Sequence, residues 1–295
     1  MPDAVSVITV NYNGGTRLAE CVRSVLLSTT PVEVLVADNG STDGSIDALR
    51  AAFPDEPRLR ILPNGANVGF ARANNRALPE ARGRYVLFLN PDCIVGPSVI
   101  ARLRAVLDER PDVGLGGCLI LNPDGTEQTS GRRRTPTPGV ALLYAFGFAR
   151  SRLGRRLFGR RSAEMRPLPT EPVEVEAISG AFMFARRADI DQVGMLDEGY
   201  FLHCEDLDWC MRFRQRGKRI LFVPDVSAIH YKGESSRRRP VHSLWHMHRG
   251  MIRYYRKFFR ESYSTPLFWL VLTGVALRFV VLGTVAAVRR GGVRA

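Results

Sequence analysis

The sequence predicts an α/β fold in which a mixed, mostly parallel sheet is flanked by helices. Over residues 5 to 90, short apolar stretches rich in β-branched residues alternate with amphipathic stretches. The apolar stretches have few polar positions, as expected for strands covered by helices on both faces. Polar clusters follow three of them, at Asn11 to Asn13, Asp38 to Asp43 and Asn90 to Asp92. Because ligands of such sheets bind beyond the carboxyl ends of the strands, we expect the functional site at that rim.

The alternation defines the elements in order. The predicted strands of the N-terminal part are VSVITV (5–10), VEVLVAD (32–38), RLRIL (58–62) and RYVLFLN (84–90). Helices are predicted between them over residues 16–28, from about residue 46, and over residues 69–81. Farther along, the pattern predicts a helix near 97–109, strands at 113–121 and 177–187, a helix over 205–216, and a strand at 219–224 that leads through a loop to His230.

Regularity fades between residues 122 and 170, where Gly, Pro and Arg are frequent. Within this stretch the apolar insert 140–158 is compatible with an amphipathic helix. We expect one main domain over residues 1–236, with 122–170 as a variable basic loop facing the acceptor or a membrane. A helical segment over residues 237–295 is expected to follow it.

Composition excludes some classes of protein. Of 295 residues, 45% are hydrophobic and 24% are charged, which excludes a disordered chain. The five cysteines form no CxxC pair and are odd in number, so they indicate neither a disulfide framework nor a zinc ribbon, and a reducing cytosol fits them best. The opening MPDAVSVITVNYNGG has an acidic residue and too short an apolar run for a signal peptide, so we expect it to belong to the fold.

The positive charge is regional. The formal net charge is +13, yet residues 131–166 alone hold ten arginines against Glu164, and residues 232–260 hold nine Lys or Arg against Glu234. Such patches attract nucleic acid, anionic lipid or phosphorylated ligands.

The C-terminal part has the composition of a membrane-associated segment. Residues 266–288 are nearly all apolar and contain one charge, Arg278. Their length is close to the ~20 residues that span a bilayer, but a central arginine costs roughly 2.5 to 3.5 kcal/mol on insertion scales. We therefore expect a helix or helical hairpin that lies in the membrane interface, with a true span and a buried helix docked on the domain as alternatives. The basic stretch before it supports contact with an anionic membrane surface.

Three side chains at the predicted rim have candidate functions. Asp38 is either a turn acid that caps the next helix or a carboxylate that accepts hydrogen bonds from a base or ribose. Asp92 follows the fourth strand in LNPDC, where a carboxylate is suited to bind a hard divalent cation, although Asn-Pro-Asp is also an ordinary turn. A lone histidine such as His230 is more often structural, but beside a metal at Asp92 it would suit Mn²⁺ or a related ion.

The stretch FLHCEDLDWCMRF, residues 201–213, places three acids among apolar residues. On a helix Glu205 and Asp208 share a face, while Asp206 points about 100° away. An acidic first turn favoured by the helix dipole explains one or two of these acids. A carboxylate at the end of an apolar cleft has a raised affinity for a proton, which suits a general base.

Taken in order, these motifs resemble those of the family 2 glycosyltransferases. They cover roughly residues 5 to 236 and comprise SVITVNYNGG, VADNGSTDGS, NVGFARANNRAL, FLNPDC, ISGAFMFARRADIDQVGMLDEGYFLHCEDLDWCMRFRQRG and IHYKGESS. Within that family they are most similar to the rhamnosyltransferase branch, which includes enzymes that move L-rhamnose from dTDP-rhamnose to a polyprenyl-diphosphate-linked sugar. The resemblance implies a GT-A fold and an inverting transfer from a nucleotide-sugar donor.

The resemblance also implies roles for individual residues. Asp206 matches the catalytic base, and Glu205 beside it contacts the acceptor. Asp92 matches the last acid of the metal-binding DXD element, and His230 matches the histidine that completes a site for Mg²⁺ or Mn²⁺. Because the base takes the proton of the acceptor hydroxyl as it attacks the opposite face of the sugar, no covalent enzyme intermediate is needed.

The donor pocket is implied in the same way. Asp38 matches the acid that contacts the nucleotide base, and Gly180 lies where small size admits the donor sugar. The other residues implied to bind the nucleotide sugar are Asn11, Tyr12, Asn13, Asn67, Phe70, Asn74, Asn90 and Asp92. The chain departs from the family pattern at two positions, since Asn90 replaces the first acid of the DXD element and Ala73 stands where glycine is common.

Rival functions remain at this stage. NGGTRL after the first strand is similar to the loop of sugar-phosphate nucleotidylyltransferases, but that class does not account for HCEDLDWC. A nucleic-acid-binding protein could use the basic patches, but no known module is visible and nucleic acid is not expected as a partner. A Rossmann dehydrogenase lacks support because G-x-G-x-x-G is absent after the first strand. The expected acceptor is a glycan or a polyprenyl-diphosphate-linked sugar, and the expected location is the cytoplasmic face of the cell membrane, as a peripheral or monotopic protein.

Overall fold

The computed structural model describes residues 4–139, 167–231 and 240–291. Its strands are β1 (Val5–Asn11), β2 (Val32–Asp38), β3 (Leu59–Pro63), β4 (Tyr85–Leu89), β5 (Cys93–Val95), β6 (Val113–Leu121), β7 (Arg132–Arg133), β8 (Val173–Glu174), β9 (Ala177–Ile178), β10 (Phe182–Arg186) and β11 (Arg219–His230). Its helices are α1 (Arg17–Leu26), α2 (Ser45–Ala52), α3 (Phe70–Ala77), α4 (Val99–Glu109), α5 (Arg187–Val193), α6 (Glu205–Gln215), α7 (Pro240–Phe258) and α8 (Thr265–Gly291). A short 3₁₀ helix, Leu78–Glu80, follows α3.

The main sheet runs in the order β3-β2-β1-β4-β10-β6-β11-β5, with β8 paired to β11. Strands β3, β2, β1 and β4 are parallel, whereas β10 is antiparallel to both of its neighbours. Asn11 and Asp38 are register partners at the ends of β1 and β2. The carboxyl ends of the parallel strands therefore form one rim, as the sequence predicted.

Helices cover both faces of the sheet because the strands are apolar on both faces. One core, with residues such as Val7, Val34 and Leu103, includes the inner faces of α1 and α4. The other core, around Trp209 and Phe88, includes the inner faces of α3 and α6. The rings of Trp209 and Phe88 lie 5.2 Å apart, so α6 is anchored on the strand that leads to the rim.

The two C-terminal helices form a hairpin that shares the second core. In α8 four side chains at helical spacing are buried, namely Phe268, Val271, Leu272 and Val275. The rest of α8 is largely exposed, and by length and composition it is the one helix in the described ranges apolar enough to cross a membrane, over Thr265–Val288. Because only 17% of this apolar window is buried, α8 is not a fully buried helix.

The sequence predictions of the regular elements are confirmed with two corrections. The strand predicted over 177–187 is two strands, β9 and β10, because the chain turns at Ser179–Ala181, where the Phe182 N–H donates to the Ser179 carbonyl. His230 ends β11 and does not follow a loop, because residues 228–230 pair with β5 beyond a register shift after Val223. The amphipathic helix predicted at 140–158, part of the predicted loop 122–170, and the predicted boundary near 236 lie outside the described residues.

Candidate active site

The ends of β1 and β2 are joined by a closed set of hydrogen bonds. The Asn11 amide is fully buried and donates through Nδ2 to Asp38 Oδ1 (3.0 Å), with Ser41 Oγ and Ser45 Oγ as further acceptors. Asp38 Oδ2 accepts the backbone N–H groups of Gly40 and Ser41, each at 3.2 Å. Asp38 is thus a turn acid, as one sequence interpretation had it, but it does not cap α2, because that helix begins after Gly44 and has no side-chain cap.

The other predicted donor-side residues lie along this rim. Asn13 takes a left-handed conformation (φ 55°), and its Oδ1 accepts the Thr42 N–H at 2.8 Å, while Tyr12 is half-buried. Asn67 Oδ1 accepts the Gly69 N–H (3.1 Å) just before α3, which fixes the turn that Phe70 follows. Asn74 donates to the Phe70 carbonyl (3.0 Å), and its buried Oδ1 has no hydrogen-bond partner.

The sequence-predicted metal ligands Asp92 and His230 meet. Asp92 Oδ1 lies 3.2 Å from His230 Nε2, is buried, and makes no hydrogen bond. Gln128 Nε2 donates to the His230 carbonyl (2.7 Å), so its Oε1 accepts from His230 Nδ1 (3.0 Å). This contact places the imidazole proton on Nδ1, so Nε2 is the unprotonated nitrogen, and it lies near both Asp92 Oδ1 and Asn90 Nδ2.

Two ligand atoms that face each other without a proton between them fit a hard or borderline cation. Asn90, at the position of the missing first acid, donates through Nδ2 to His230 Nε2 at 3.3 Å and supplies no charge. The Cys93 thiol also lies within the group. Burial raises the pKa of Cys93, and its Sγ donates to the Ala181 carbonyl, so Asp92 and His230 are the two members of this group that could hold a cation.

The candidate base Asp206 lies against the turn between β9 and β10. Its Oδ2 accepts the Gly180 N–H at 2.9 Å, and its Oδ1 accepts the N–H of Leu207. A Cβ on Gly180 would lie 3.2 Å from Asp206 Cβ and 3.3 Å from Oδ2. A side chain at position 180 would therefore crowd the carboxylate of Asp206.

This turn connects the base with the metal ligands. The Asn90 N–H donates to the Ala181 carbonyl at 3.0 Å, one residue beyond Gly180. Asp92 follows Asn90 by two residues, and its carbonyl accepts the N–H of Tyr231, next to His230. Segments that are far apart in sequence thus meet at one rim of the sheet.

Arg133 is a site residue that sequence analysis did not single out. It lies in β7, and its Nη2 forms an ion pair with Asp206 Oδ2 and also donates to the Ile178 carbonyl. Its buried Nε has no hydrogen-bond partner. The only signal in the sequence was its place at the start of the arginine-rich stretch, because the pairing of β7 with β9 that brings it here is not visible in a local pattern.

Glu205 differs sharply from its neighbour. Its side chain is buried and Oε2 has no hydrogen-bond partner. Burial, with the nearby Asp206 carboxylate as the second cause, raises the pKa of Glu205 to about 8. The raised proton affinity that the sequence predicted for a carboxylate in this cleft thus falls on Glu205, which is a neutral carboxylic acid near pH 7.

The third acid of the stretch has a structural role. Asp208 is fully buried and accepts from Arg212 Nε (2.7 Å) and from Lys257 Nζ (2.6 Å) of α7. Lys257 also reaches Asp197, so α7 is held to α6 by a shared set of charges. The three acids therefore diverge: Asp206 contacts the Gly180 turn, Glu205 is buried without a partner for Oε2, and Asp208 contacts the C-terminal hairpin.

Backbone strain marks the same place. His203 and Cys204, directly before α6, take left-handed conformations with φ of 69° and 70°. Such conformations are uncommon for non-glycine residues and cluster at functional sites. The arrangement can accept a proton at Asp206, donate one from Glu205, and hold a cation at Asp92 and His230 about the same rim.

Comparisons with known proteins identify the family of the chain. A family model described as Glycosyl transferase family 2 matches residues 6–192. The chain is 32% identical over 292 residues to a Mycobacterium tuberculosis protein named N-acetylglucosaminyl-diphospho-decaprenol L-rhamnosyltransferase, covering 94% of this chain and 92% of that protein. It is 25% identical over 186 residues to Rhamnosyltransferase WbbL of Escherichia coli, covering 59% of this chain and 65% of that protein.

A solved structure shows the same fold. The mannosyltransferase PcManGT from Pyrobaculum calidifontis, in complex with GDP-Man and Mn²⁺, matches with a TM-score of 0.61 at 19% identity, covering 99% of this chain and 76% of that chain. The GT-A fold implied by the sequence motifs is thereby confirmed. The family model decides the enzyme class in favour of a glycosyltransferase over a nucleotidylyltransferase, because it covers more than half of the chain: the chain belongs to glycosyltransferase family 2.

Proposed function

We propose that this glycosyltransferase transfers L-rhamnose from dTDP-L-rhamnose, with inversion, to a hydroxyl of a polyprenyl-diphosphate-linked sugar in cell-envelope synthesis. The observation that supports it most strongly is the identity with the mycobacterial rhamnosyltransferase, which extends over 94% of the chain. The similarity therefore includes the acceptor-side helix α6 and extends into the C-terminal hairpin.

The residues of the rim divide the reaction between them. Asp206 takes the proton from the acceptor hydroxyl, whose oxygen forms the new bond to the anomeric carbon as the bond to the nucleoside diphosphate breaks. Gly180 and Arg133 hold the carboxylate in place. Glu205 donates its proton in a hydrogen bond to the acceptor. One displacement on the face opposite the leaving group inverts the configuration.

A divalent cation fits Asp92 and His230, since the buried Oδ1 of Asp92 has no hydrogen-bond partner and lies 3.2 Å from the unprotonated Nε2 of His230. When bound, Mg²⁺ or Mn²⁺ would neutralise charge on the departing diphosphate. Because one carboxylate contributes, we expect weak binding of the metal alone. Titration with Mn²⁺ should show tighter binding when dTDP is present, and His230→Gln should weaken it in both conditions.

We propose that α8 lies in the membrane interface and does not span the bilayer. Its residues up to Val275 pack on the domain, and Arg278 donates to His248 of α7 at 2.9 Å. The apolar residues beyond Arg278 extend only about 15 Å at 1.5 Å per residue, short of the ~30 Å hydrocarbon core. On the cytoplasmic face, this placement would bring the rim near the prenyl chain of an acceptor.

Substitution on the exposed face of α8 tests this placement better than truncation, which would uncover the core that Phe268 and Val271 fill. Leu277 and Val281 are each more than half exposed, so the double change to Glu should release the protein from vesicles. Leu27→Glu is the control, because Leu27, directly after α1, is 65% exposed. Equal sedimentation of all three proteins with vesicles would contradict the placement.

A donor panel tests the main proposal. Release of nucleoside diphosphate should be measured with several nucleotide sugars, Mg²⁺ or Mn²⁺, and a short-chain prenyl-diphospho-N-acetylglucosamine as acceptor. We expect dTDP-L-rhamnose to give the highest acceptor-dependent turnover. A higher rate with another donor would overturn the rhamnose assignment and leave the enzyme class unchanged.

A further inference from the structure

A cavity of about 260 Å³ lies between the α3 side of the domain and the helix α7. Its lining includes Arg72 and Glu198 on the domain side, Phe201 in the segment that leads into α6, and His246, Arg249 and Gly250 on α7. On this measure of volume one water needs only ~10–15 Å³, so the cavity has room for several waters. That space accommodates a small polar group such as the nine non-hydrogen atoms of a diphosphate.

The cavity carries positive charge that the protein balances only in part. Arg72 Nε donates to Glu198 Oε2 at 2.9 Å, so this acid is already paired. Arg249 is exposed and has no hydrogen-bond or ion-pair partner among the described residues. Burial, followed by His242, Arg249 and His203 as like charges, lowers the pKa of His246. An anion bound in the cavity would reduce the repulsion between these positive charges.

The cavity adjoins the active site. The Phe70 N–H of α3 donates to the Phe201 carbonyl at 2.8 Å, which joins the cavity wall to the donor side. A Cβ on Gly250 would lie 2.9 Å from the His203 carbonyl, so α7 touches the strained segment directly before Glu205. The lining residue Phe201 precedes the candidate base Asp206 by only five positions.

The opposite side of α7 leads to the apolar helix. His248 accepts from Arg278 of α8, and the rings of Trp245 and Phe279 lie 5.3 Å apart. One helix diameter, about 10 Å, therefore separates the cavity from the surface that we assign to the membrane. The diphosphate of a prenyl-linked acceptor likewise lies between two parts, the sugar that must reach the active site and the prenyl chain that lies in the membrane.

We propose that this cavity binds the diphosphate of the lipid-linked acceptor through Arg249, Arg72 and His246. The inference rests on the proposed function for the identity of the acceptor but concerns a different set of residues from the donor rim. No carboxylate of the described residues accepts from the guanidinium of Arg249, so its N–H groups can form charge-assisted hydrogen bonds to the diphosphate. Arg72, although paired with Glu198, supplies a second donor.

The direct test is a titration with a short-chain prenyl-diphospho-N-acetylglucosamine in EDTA and without donor, so that the probe cannot bind through a cation at Asp92. Arg249→Gln should raise Kd about tenfold, the effect of losing one strong charge-assisted hydrogen bond. Arg256→Gln is the matched control. It removes the same charge two turns away on the exposed surface of α7, outside the cavity lining, and should change Kd less than twofold.

Two further measurements separate a diphosphate site from general attraction to lipid. With an alkyl N-acetylglucosaminide acceptor, which has no phosphate, Arg249→Gln should leave KM unchanged. Both variants should bind phosphatidylglycerol vesicles equally well. If the two variants weaken the diphosphate probe equally, or if Arg249→Gln weakens only vesicle binding, the cavity is not the diphosphate site.

These outcomes are independent of the donor. Wild-type protein that binds the probe through Arg249 but transfers no rhamnose would overturn the proposed function and support the site. If the wild-type protein transfers rhamnose to the prenyl acceptor and Arg249→Gln binds the probe with the wild-type Kd, the proposed function is supported and the cavity is not the diphosphate site.

Discussion

The two sides of the rim differ in how their polar groups are satisfied. On the donor side, the buried amide of Asn11 and both oxygens of Asp38 in the turn after β2 have hydrogen-bond partners within the protein, whereas Asn74 Oδ1 and Asp92 Oδ1 are buried without one. On the acceptor side, Glu205 Oε2 and Arg133 Nε are buried without a hydrogen-bond partner, and the backbone before α6 is strained. Buried unsatisfied groups are costly and rare outside functional sites. The comparison indicates that the turn after β2 contributes to stability, whereas the unsatisfied groups of the acceptor side lie where chemistry is expected.

The largest expected effect comes from the base. Asp206→Asn removes the proton acceptor but keeps an oxygen for the Gly180 N–H. We expect turnover to fall by about 10³-fold, within the range typical of a lost general base, while the Kd for dTDP-L-rhamnose stays within a factor of two. Turnover assays and donor titration measure the two quantities.

Asp191→Asn is the control for this variant, since Asp191 is an exposed acid paired with Arg187. It should leave both quantities unchanged. Comparable turnover by Asp206→Asn and wild type would remove Asp206 from the role of base.

Gly180→Ala tests the contact between the turn and the base without changing a charge. The new methyl group would press on Asp206 at 3.2 to 3.3 Å, so the carboxylate must shift. We expect kcat to fall by about 10² because small displacements of a catalytic group have effects of this size. Gly96→Ala is the matched control, since its Cβ would meet only Val99 at an ordinary 3.6 Å.

Donor binding and turnover of Gly180→Ala together distinguish two reasons why position 180 is a glycine. If glycine is needed only to admit the donor sugar, Gly180→Ala should raise the Kd for the donor and leave the turnover of bound donor unchanged. If it is needed for the approach of Asp206, kcat falls and donor binding persists. The distances favour the second result.

Glu205→Gln tests the neutral acid through the pH dependence of stability. The pKa of Glu205 is raised to about 8 in the folded protein, so between its ordinary value and pH 8 the folded state holds a proton that the unfolded state releases. This contribution to the free energy of unfolding is largest at acid pH and is lost as the pH rises toward 8. Glutamine cannot ionise, so urea unfolding at pH 5 and pH 8 should show a smaller decline in the variant. Parallel declines in the two proteins would contradict the raised pKa.

The donor side of this comparison could be predicted from the sequence, and the acceptor side only in part. Asn11, Asp38 and Asp92 follow strands with a clear apolar pattern, and parallel strands bring their ends together without further information. Arg133 and Gln128 could not be found in this way. Their positions depend on β7 and on the chain before it, which pair across long sequence separations and have no periodic pattern.

The three acids near residue 206 show the same limit of sequence analysis within a single helical turn. Helical spacing predicted their directions relative to one another but not their surroundings. The raised proton affinity expected for a buried carboxylate falls on Glu205 because Asp206 is paired with Arg133, and Asp208 with Lys257 from a helix fifty residues farther along. Partners that arrive from distant parts of the chain decided which acid is neutral.

The smallest expected effect is on the donor side and concerns stability. Ser41 Oγ donates to Asp38 Oδ1 at 2.6 Å and accepts from Asn11 Nδ2 and the Asn13 N–H. Ser41→Ala removes one hydrogen-bond partner from each of these three groups, so we expect the free energy of unfolding to fall by about 1 to 2 kcal/mol. Urea denaturation measures this loss, and kcat should stay within a factor of two of wild type.

Thr42→Ala is the control, because the Thr42 side chain is exposed and makes no hydrogen bond within the described residues. It should leave the free energy of unfolding within about 0.5 kcal/mol of wild type. A loss of kcat in Ser41→Ala as large as that in Gly180→Ala, with no loss of stability, would contradict the division of the rim. The donor turn would then contribute directly to the chemical step, and the satisfied hydrogen bonds of Asp38 would position the reacting sugar as well as stabilise the fold.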